Sequence, residues 1–190
     1  MSFRAGMFDQ NAAGGLRRFC PSQAVHRLQD VSLEELWEAG KRLILLDVDH
    51  TIVKWGEEEF SPEVVAWIGE AKAKGFQLRI LSNTRHPQRL ARLSAKIDIP
   101  TKNGKFKPSP EMYMEALQET GIGADHAVMI GDQIMTDILG ANRSGIDSIW
   151  LEKMEGPEFF GTKFNRVIER VIMLFLYRRS LDRGTGANSS

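Results

Sequence analysis

Leu43-Ile44-Leu45-Leu46-Asp47-Val48-Asp49-His50-Thr51 is the stretch on which the fold turns. An apolar run of strand character ends in two carboxylates spaced i, i+2, followed by a hydroxyl. Successive side chains of a strand point to opposite faces, so residues i and i+2 share one. Where the strand ends and the chain bends, both carboxylates can converge on one pocket. In open α/β sheets, ligands bind at that edge. Two acids there suggest a nucleophile, an acid/base pair or hard-metal ligands.

Outward from this stretch, strands and helices alternate. Ser32-Leu33-Glu34-Glu35 has the form of a capping box, and Gly40 supplies a stop, so a short helix is expected over 33–39. The first strand is expected at 42–47. Ser61-Pro62-Glu63 combines an N-cap, a proline at the first helical position and an early acid, opening a helix that runs to Lys74 and stops at Gly75. A strand follows at 76–81, ending at Ser82-Asn83. A helix is expected at about 87–96, and a short strand near 97–101. Ser109-Pro110-Glu111 opens the next helix, which Gly121 closes. A strand at 127–130 ends at Gly131-Asp132, a helix covers 135–143, and a fifth strand covers 148–151. Such alternation implies βαβ units with right-handed crossovers. The expected fold is α/β with a mainly parallel five-stranded sheet. Three strands end in Asp47, Ser82 and Asp132, which a parallel sheet places on one edge.

Composition narrows the class. The chain has 190 residues, enough for one domain with a sizeable core, with 42% hydrophobic and 26% charged residues. Zero net charge gives no global pull towards nucleic acid, and no nucleic-acid partner is expected. The single cysteine, Cys20, fits a reduced, cytoplasmic setting and reads as a small apolar residue. The longest uninterrupted apolar run, 171–177, is far short of the roughly 18 residues of a spanning helix. Residues 1–19 read as a flexible lead-in, 20–160 as the core, 161–179 as a basic amphipathic helix and 180–190 as a disordered tail.

Asp47, Asp49, Ser82-Asn83, Lys102, Lys105, Lys107, Gly131-Asp132 and Asp137 together resemble the haloacid dehalogenase (HAD) superfamily of phosphohydrolases. Its DxDx[T/V] motif is matched by 47–51, its strand-end Ser/Thr by Ser82, and its lysine best by Lys107-Pro108. Its GDxxxxD motif is matched by Gly131-Asp132-Gln133-Ile134-Met135-Thr136-Asp137. The resemblance implies a three-layer Rossmann-like fold and Asp47 as the nucleophile of an aspartyl-phosphate. It also implies Asp49 as acid/base, and Mg²⁺ held by Asp47, the Asp49 backbone carbonyl and Asp132. Ser82 and Lys107 would hold phosphoryl oxygens, with Asn83 and backbone N–H groups adding donors, and Asp137 would orient Lys107 or a metal-bound water.

The interval from Asp47 to Ser82 is 35 residues, and from Ser82 to Lys107 it is 25; each must hold a helix, so no cap domain is expected. The site would then be open, or covered by substrate or by a second copy in a homo-oligomer. Arg85, Arg89, Arg92 and Lys96, at spacings of four, three and four, are expected on one helical face. They could grip a second phosphate, face an anionic surface, or simply be solvated. Residues 163–179 carry an apolar stripe, with five basic residues against Glu169, and suit a helix lying on an anionic membrane surface. The alternative is a helix packed on the core or in a dimer contact.

From Cys20-Pro21 to Arg179 the chain looks like the YqeG-type subfamily of HAD phosphatases, with His50 where that subfamily usually shows Asn. That resemblance implies phosphatidylglycerophosphate as substrate and phosphatidylglycerol as product, with a peripheral place on the inner face of the membrane. The alternatives are a soluble phosphatase for a sugar phosphate or nucleotide, and a binding protein on a retained fold.

Overall fold

The structure, a computed structural model, describes residues 6–8, 14–102, 106–152, 172 and 174. Seven strands form one sheet: β1 (Gly6–Met7), β2 (Gln23–Val25), β3 (Leu43–Leu46), β4 (Gln77–Leu81), β5 (Thr101–Lys102), β6 (Ala127–Gly131) and β7 (Asp147–Leu151). Their spatial order is β1-β2-β7-β6-β3-β4-β5. Every pairing is parallel except β1 with β2. The five strands expected from the sequence are the contiguous block β7-β6-β3-β4-β5, with the short strand expected near 97–101 found at Thr101–Lys102. Two strands extend that block, and one of them, β1, lies in the stretch expected as a lead-in.

The central strand β3 is buried along its whole length, the pattern of a strand covered on both faces. Its alternation divides the core. Ile44 and Leu46 join Leu33 and Leu36 of α1 (Leu33–Glu38), Val64, Trp67 and Ile68 of α2 (Pro62–Lys74) and Leu90 and Leu93 of α3 (Pro87–Ile97). Leu43 and Leu45 join Met112, Tyr113 and Ala116 of α4 (Pro110–Thr120) and Ala141 of α5 (Leu139–Arg143). The result is three layers: helices, sheet, helices. Each fully buried Leu or Ile contributes about 1.5–3 kcal/mol by leaving water.

Capping chemistry sets the helix ends. Ser61 Oγ accepts from Val64 N, and Gly75 closes α2 with φ +98°, a conformation suited to glycine. Ser109 precedes α4 as expected, but its hydroxyl makes no cap hydrogen bond. The helix expected over 135–143 starts with one wide turn, Ile134–Ile138, in which bonds reach five residues back, and continues as α5. Arg85 lies before α3 begins, so the basic face on that helix holds Arg89, Arg92 and Lys96.

Register aligns the strand ends. Leu46 sits opposite Ile80 and Ile130, so Asp47, Ser82 and Asp132 emerge together at the carboxyl edge. Between β3 and β4 the chain holds one loop and α2. Residues 163–179 lie outside the described residues except Ile172 and Leu174, both helical. Ile172 packs against the cluster of Phe8, Cys20, Ala24, Ile134 and Ile138. Among the described residues, no helix is long and apolar enough to cross a membrane.

Candidate active site

The first acid is fixed by the sheet. Asp47 N donates to Ile130 O at 3.0 Å, extending the β3–β6 ladder by one rung. The chain then folds tightly on itself: Thr51, Ile52 and Val53 N–H groups all donate to Val48 O. His50 takes φ +64° in this turn, in the left-handed region that Asn and His enter more readily than most residues. That explains physically why asparagine suits this position. The turn keeps Asp47 buried and brings Asp49 to the wall of an open cleft of about 1130 Å³, with Ser82, Asn83 and Arg89 also in its lining.

Lys107 is delivered by a two-way clasp with Asn83. Asn83 Nδ2 donates to Lys107 O at 2.9 Å, and Lys107 N donates to Asn83 Oδ1 at 2.8 Å. Asn83 was expected to bind phosphate; it spends its carbonyl oxygen and an amide hydrogen on placing Lys107. The lysine ammonium donates to Asp47 Oδ1 at 2.5 Å and to Asp137 Oδ1 at 2.7 Å. Asp137 Oδ2 accepts from Gln133 N at 3.1 Å, so both its oxygens are held. A Cβ on Gly131 would lie 2.3 Å from Asp137 Oδ2, so this glycine gives the carboxylate its room. Tyr113 Oη donates to the carbonyls of Thr136 and Asp137, each at 3.2 Å, steadying the wide turn. Trp150 Nε1 donates to Asp132 O at 2.9 Å, fixing the backbone of the fourth acid. Of the three lysines named from the sequence, Lys107 is the one in the cluster. Lys105 lies outside the described residues, and of Lys102 only the strand backbone is described.

Carboxylate oxygens of Asp47, Asp132 and Asp137 all lie within 4.8 Å of one another, and all three residues are buried. Burial raises the Asp47 carboxyl to about 7; Lys107 opposes that rise, and Asp137 adds to it. Burial pulls the Lys107 ammonium down, but Asp137 and Asp47 more than offset this and leave it raised. Among the described residues, these three buried carboxylates gather around the Lys107 ammonium, which donates to two of them. Excess buried charge of one sign is costly unless a counter-ion enters. Hard oxygen donors in this number fit a divalent cation of the Mg²⁺ type. The cluster draws in Asp137, expected to orient Lys107 or a metal-bound water, beside the expected ligands Asp47 and Asp132. The Asp49 side chain is elsewhere.

Asp49 forms a bidentate pair with Arg89: Nη1 donates to Oδ2 at 3.2 Å and Nη2 to Oδ1 at 2.9 Å. Arg89 Nη2 also donates to Glu57 O at 2.6 Å. Further along α3, Arg92 pairs with Glu58 (Nε to Oε2, 2.9 Å) and Lys96 with Glu59 at 2.6 Å. The basic face is therefore matched by acids of the loop before α2, a pairing across about forty positions that helical spacing alone cannot reveal. Tyr113 and Gln133 were also missed as parts of the site. The GDxxxxD spacing was the available signal for Gln133, and nothing marked Tyr113. Ser82 is buried at the cleft, and its Oγ accepts from Thr84 N at 3.3 Å.

The model of the haloacid dehalogenase-like hydrolases matches residues 7–145. A protein of Bacillus subtilis described as a probable phosphatase, YqeG, is 31% identical over 161 residues, 85% of this chain and 93% of its own length. A phosphoserine phosphatase of Thermus thermophilus is 30% identical over 105 residues, 51% of this chain and 42% of its own length. One crystal structure superposes with a TM-score of 0.54 at 12% identity, over 73% of this chain and 84% of the other, a likeness of fold. The chain belongs to the haloacid dehalogenase-like hydrolases and is a phosphatase of that family.

Proposed function

We propose that the chain hydrolyses phosphomonoesters through an aspartyl-phosphate on Asp47, with phosphatidylglycerophosphate as the first substrate to test. The observation that carries the chemistry is the Lys107 ammonium, buried between Asp47 and Asp137 beside Asp132. An Asp47 oxygen attacks phosphorus while the bond to the leaving oxygen breaks, and Asp49 gives that oxygen a proton. Asp49 then takes a proton from water, whose oxygen attacks phosphorus and frees Asp47 and inorganic phosphate. Lys107 and Ser82 hold phosphoryl oxygens with fixed donors, and Asp137 keeps Lys107 in place. Mg²⁺, held by Asp47, Asp132 and the Asp49 carbonyl, with Asp137 close by, would screen the repulsion between the carboxylate nucleophile and the phosphate dianion.

The lipid substrate follows from the subfamily resemblance of 20–179, and is supported by a β3–β4 interval that holds only a loop and α2. A small substrate gains most from a lid that excludes water; a lipid headgroup or a second subunit can itself cover an open site. On this reading 163–179 rests on anionic lipid. One observation favours the second reading, a soluble phosphatase: Ile172 of that segment packs on the core. A phosphate-release screen with Mg²⁺ over phosphatidylglycerophosphate, sugar phosphates and nucleotides decides between them. Co-sedimentation of the full chain with phosphatidylglycerol vesicles adds a second line. Turnover confined to sugar phosphates or nucleotides, without vesicle binding, rejects the lipid reading.

A further inference from the structure

Asp49 has both carboxylate oxygens occupied by the Arg89 guanidinium, at 2.9 and 3.2 Å. This fork-to-fork geometry is the strong form of a charge-assisted hydrogen bond. The pair is only partly open to water, with side-chain exposures of 14% for Arg89 and 24% for Asp49. An acid/base must turn one oxygen towards the leaving group, so the pair has to open in each turnover. The rest of the seam does not have to move with it. Arg92 and Lys96 hold the loop through Glu58 and Glu59. Arg89 Nη2 also donates to Glu57 O, a single bond that yields when the guanidinium moves.

Arg89 is also incompletely satisfied. Its Nε is buried and has no hydrogen-bond partner. A buried donor without an acceptor is unfavourable, and two oxygens of a phosphate or carboxylate can take Nε together with one Nη in a single fork. Arg89 lines the same cleft as Asp47 and Ser82, so an anion bound there is part of the same substrate.

We propose that Arg89 is a latch on Asp49 that the substrate opens, and that the preferred substrates carry a second anionic group, a phosphate or carboxylate, beside the phosphomonoester. The second anion draws the guanidinium away, and Asp49 is released towards the leaving oxygen. Arg89 is then a positioning residue for Asp49 and a specificity residue for the second anion. This rests on the reading of Asp49 as the acid/base.

The test is steady-state phosphate release by the full chain with Mg²⁺ on n-propyl phosphate and on the α,ω-bisphosphates of ethane-, propane- and butanediol. Unaltered protein should prefer the best bisphosphate by at least about tenfold in kcat/KM, part of it in kcat. In Arg89→Ala that preference should fall to within about threefold, while kcat on n-propyl phosphate rises because Asp49 is no longer held. Arg89→Lys keeps a charge but loses the fork, should behave the same way, and carries the test if Arg89→Ala does not fold. Arg92→Ala, one turn along the seam, should leave the preference intact. Any other pattern in the Arg89 variants overturns the latch, notably a kept preference with lower kcat on n-propyl phosphate. Phosphate release from neither ester class by unaltered protein overturns the phosphatase reading and the latch together.

Discussion

Two acids two residues apart are held in opposite ways. Asp47 lies in a buried cluster of three carboxylates, two of which accept from the Lys107 ammonium. Asp49 lies on the cleft wall in a balanced pair with one guanidinium, partly in water. The buried cluster is tightly bonded and, among the described residues, rich in acids, so it suits cation binding and a fixed nucleophile. The cleft pair is neutral and can open, which suits a group that must give and take a proton. Position on the β3 turn, at Asp47 or two residues later, sets which environment each acid meets.

The contrast breaks most readily at Lys107. Lys107→Met should leave the buried carboxylates uncompensated, lowering stability by about 3–5 kcal/mol in denaturant unfolding without metal. It should also lower kcat by about 10²–10³-fold. A loss below about 1 kcal/mol would show the cluster to be better solvated than its burial implies. Next comes the cation. Mg²⁺ at about a hundred times its Kd should add about 2.7 kcal/mol of stability, and chelator should remove it, as read by thermal unfolding. Gly131→Ala forces a Cβ against Asp137 and should destabilise by about 1–3 kcal/mol while weakening that Mg²⁺ response. At the cleft side the smallest effect is expected. Arg92→Ala removes an exposed ion pair and should leave the unfolding midpoint and activity on n-propyl phosphate unchanged.

Much of the buried half was legible in the sequence, because burial and period are local signals. Leu43–Leu46 and Ala127–Gly131 are continuous apolar runs, and such runs mark strands covered on both faces. Asp47 and Asp132 follow such runs and Ser82 follows β4, while Lys107 and Asp137 are marked by the motifs around them. The missed parts depend on contacts between distant segments. β2 has three residues, too few for a pattern, and is a strand because it pairs in parallel with β7, where Ser22 N just before it donates to Ser148 O and Val25 O accepts from Glu152 N. The Arg89–Asp49 pair joins a helix face to a loop, and from spacing alone Arg89 was as consistent with a solvated face. Asn83 sits where the motif suggests a phosphate donor, and only the chain's return at Lys107 reveals the clasp.

The central claim is that Asp47 is phosphorylated during turnover. Full-length protein with Mg²⁺ and a ³²P-labelled phosphomonoester, quenched in acid within the first turnovers, should carry label that hydroxylamine releases, as expected of an acyl phosphate. Peptide mapping should place that label at Asp47, and Asp47→Asn should carry none while losing at least about 10³-fold in rate. Phosphate release without protein-bound label, together with an active Asp47→Asn variant, would contradict the account.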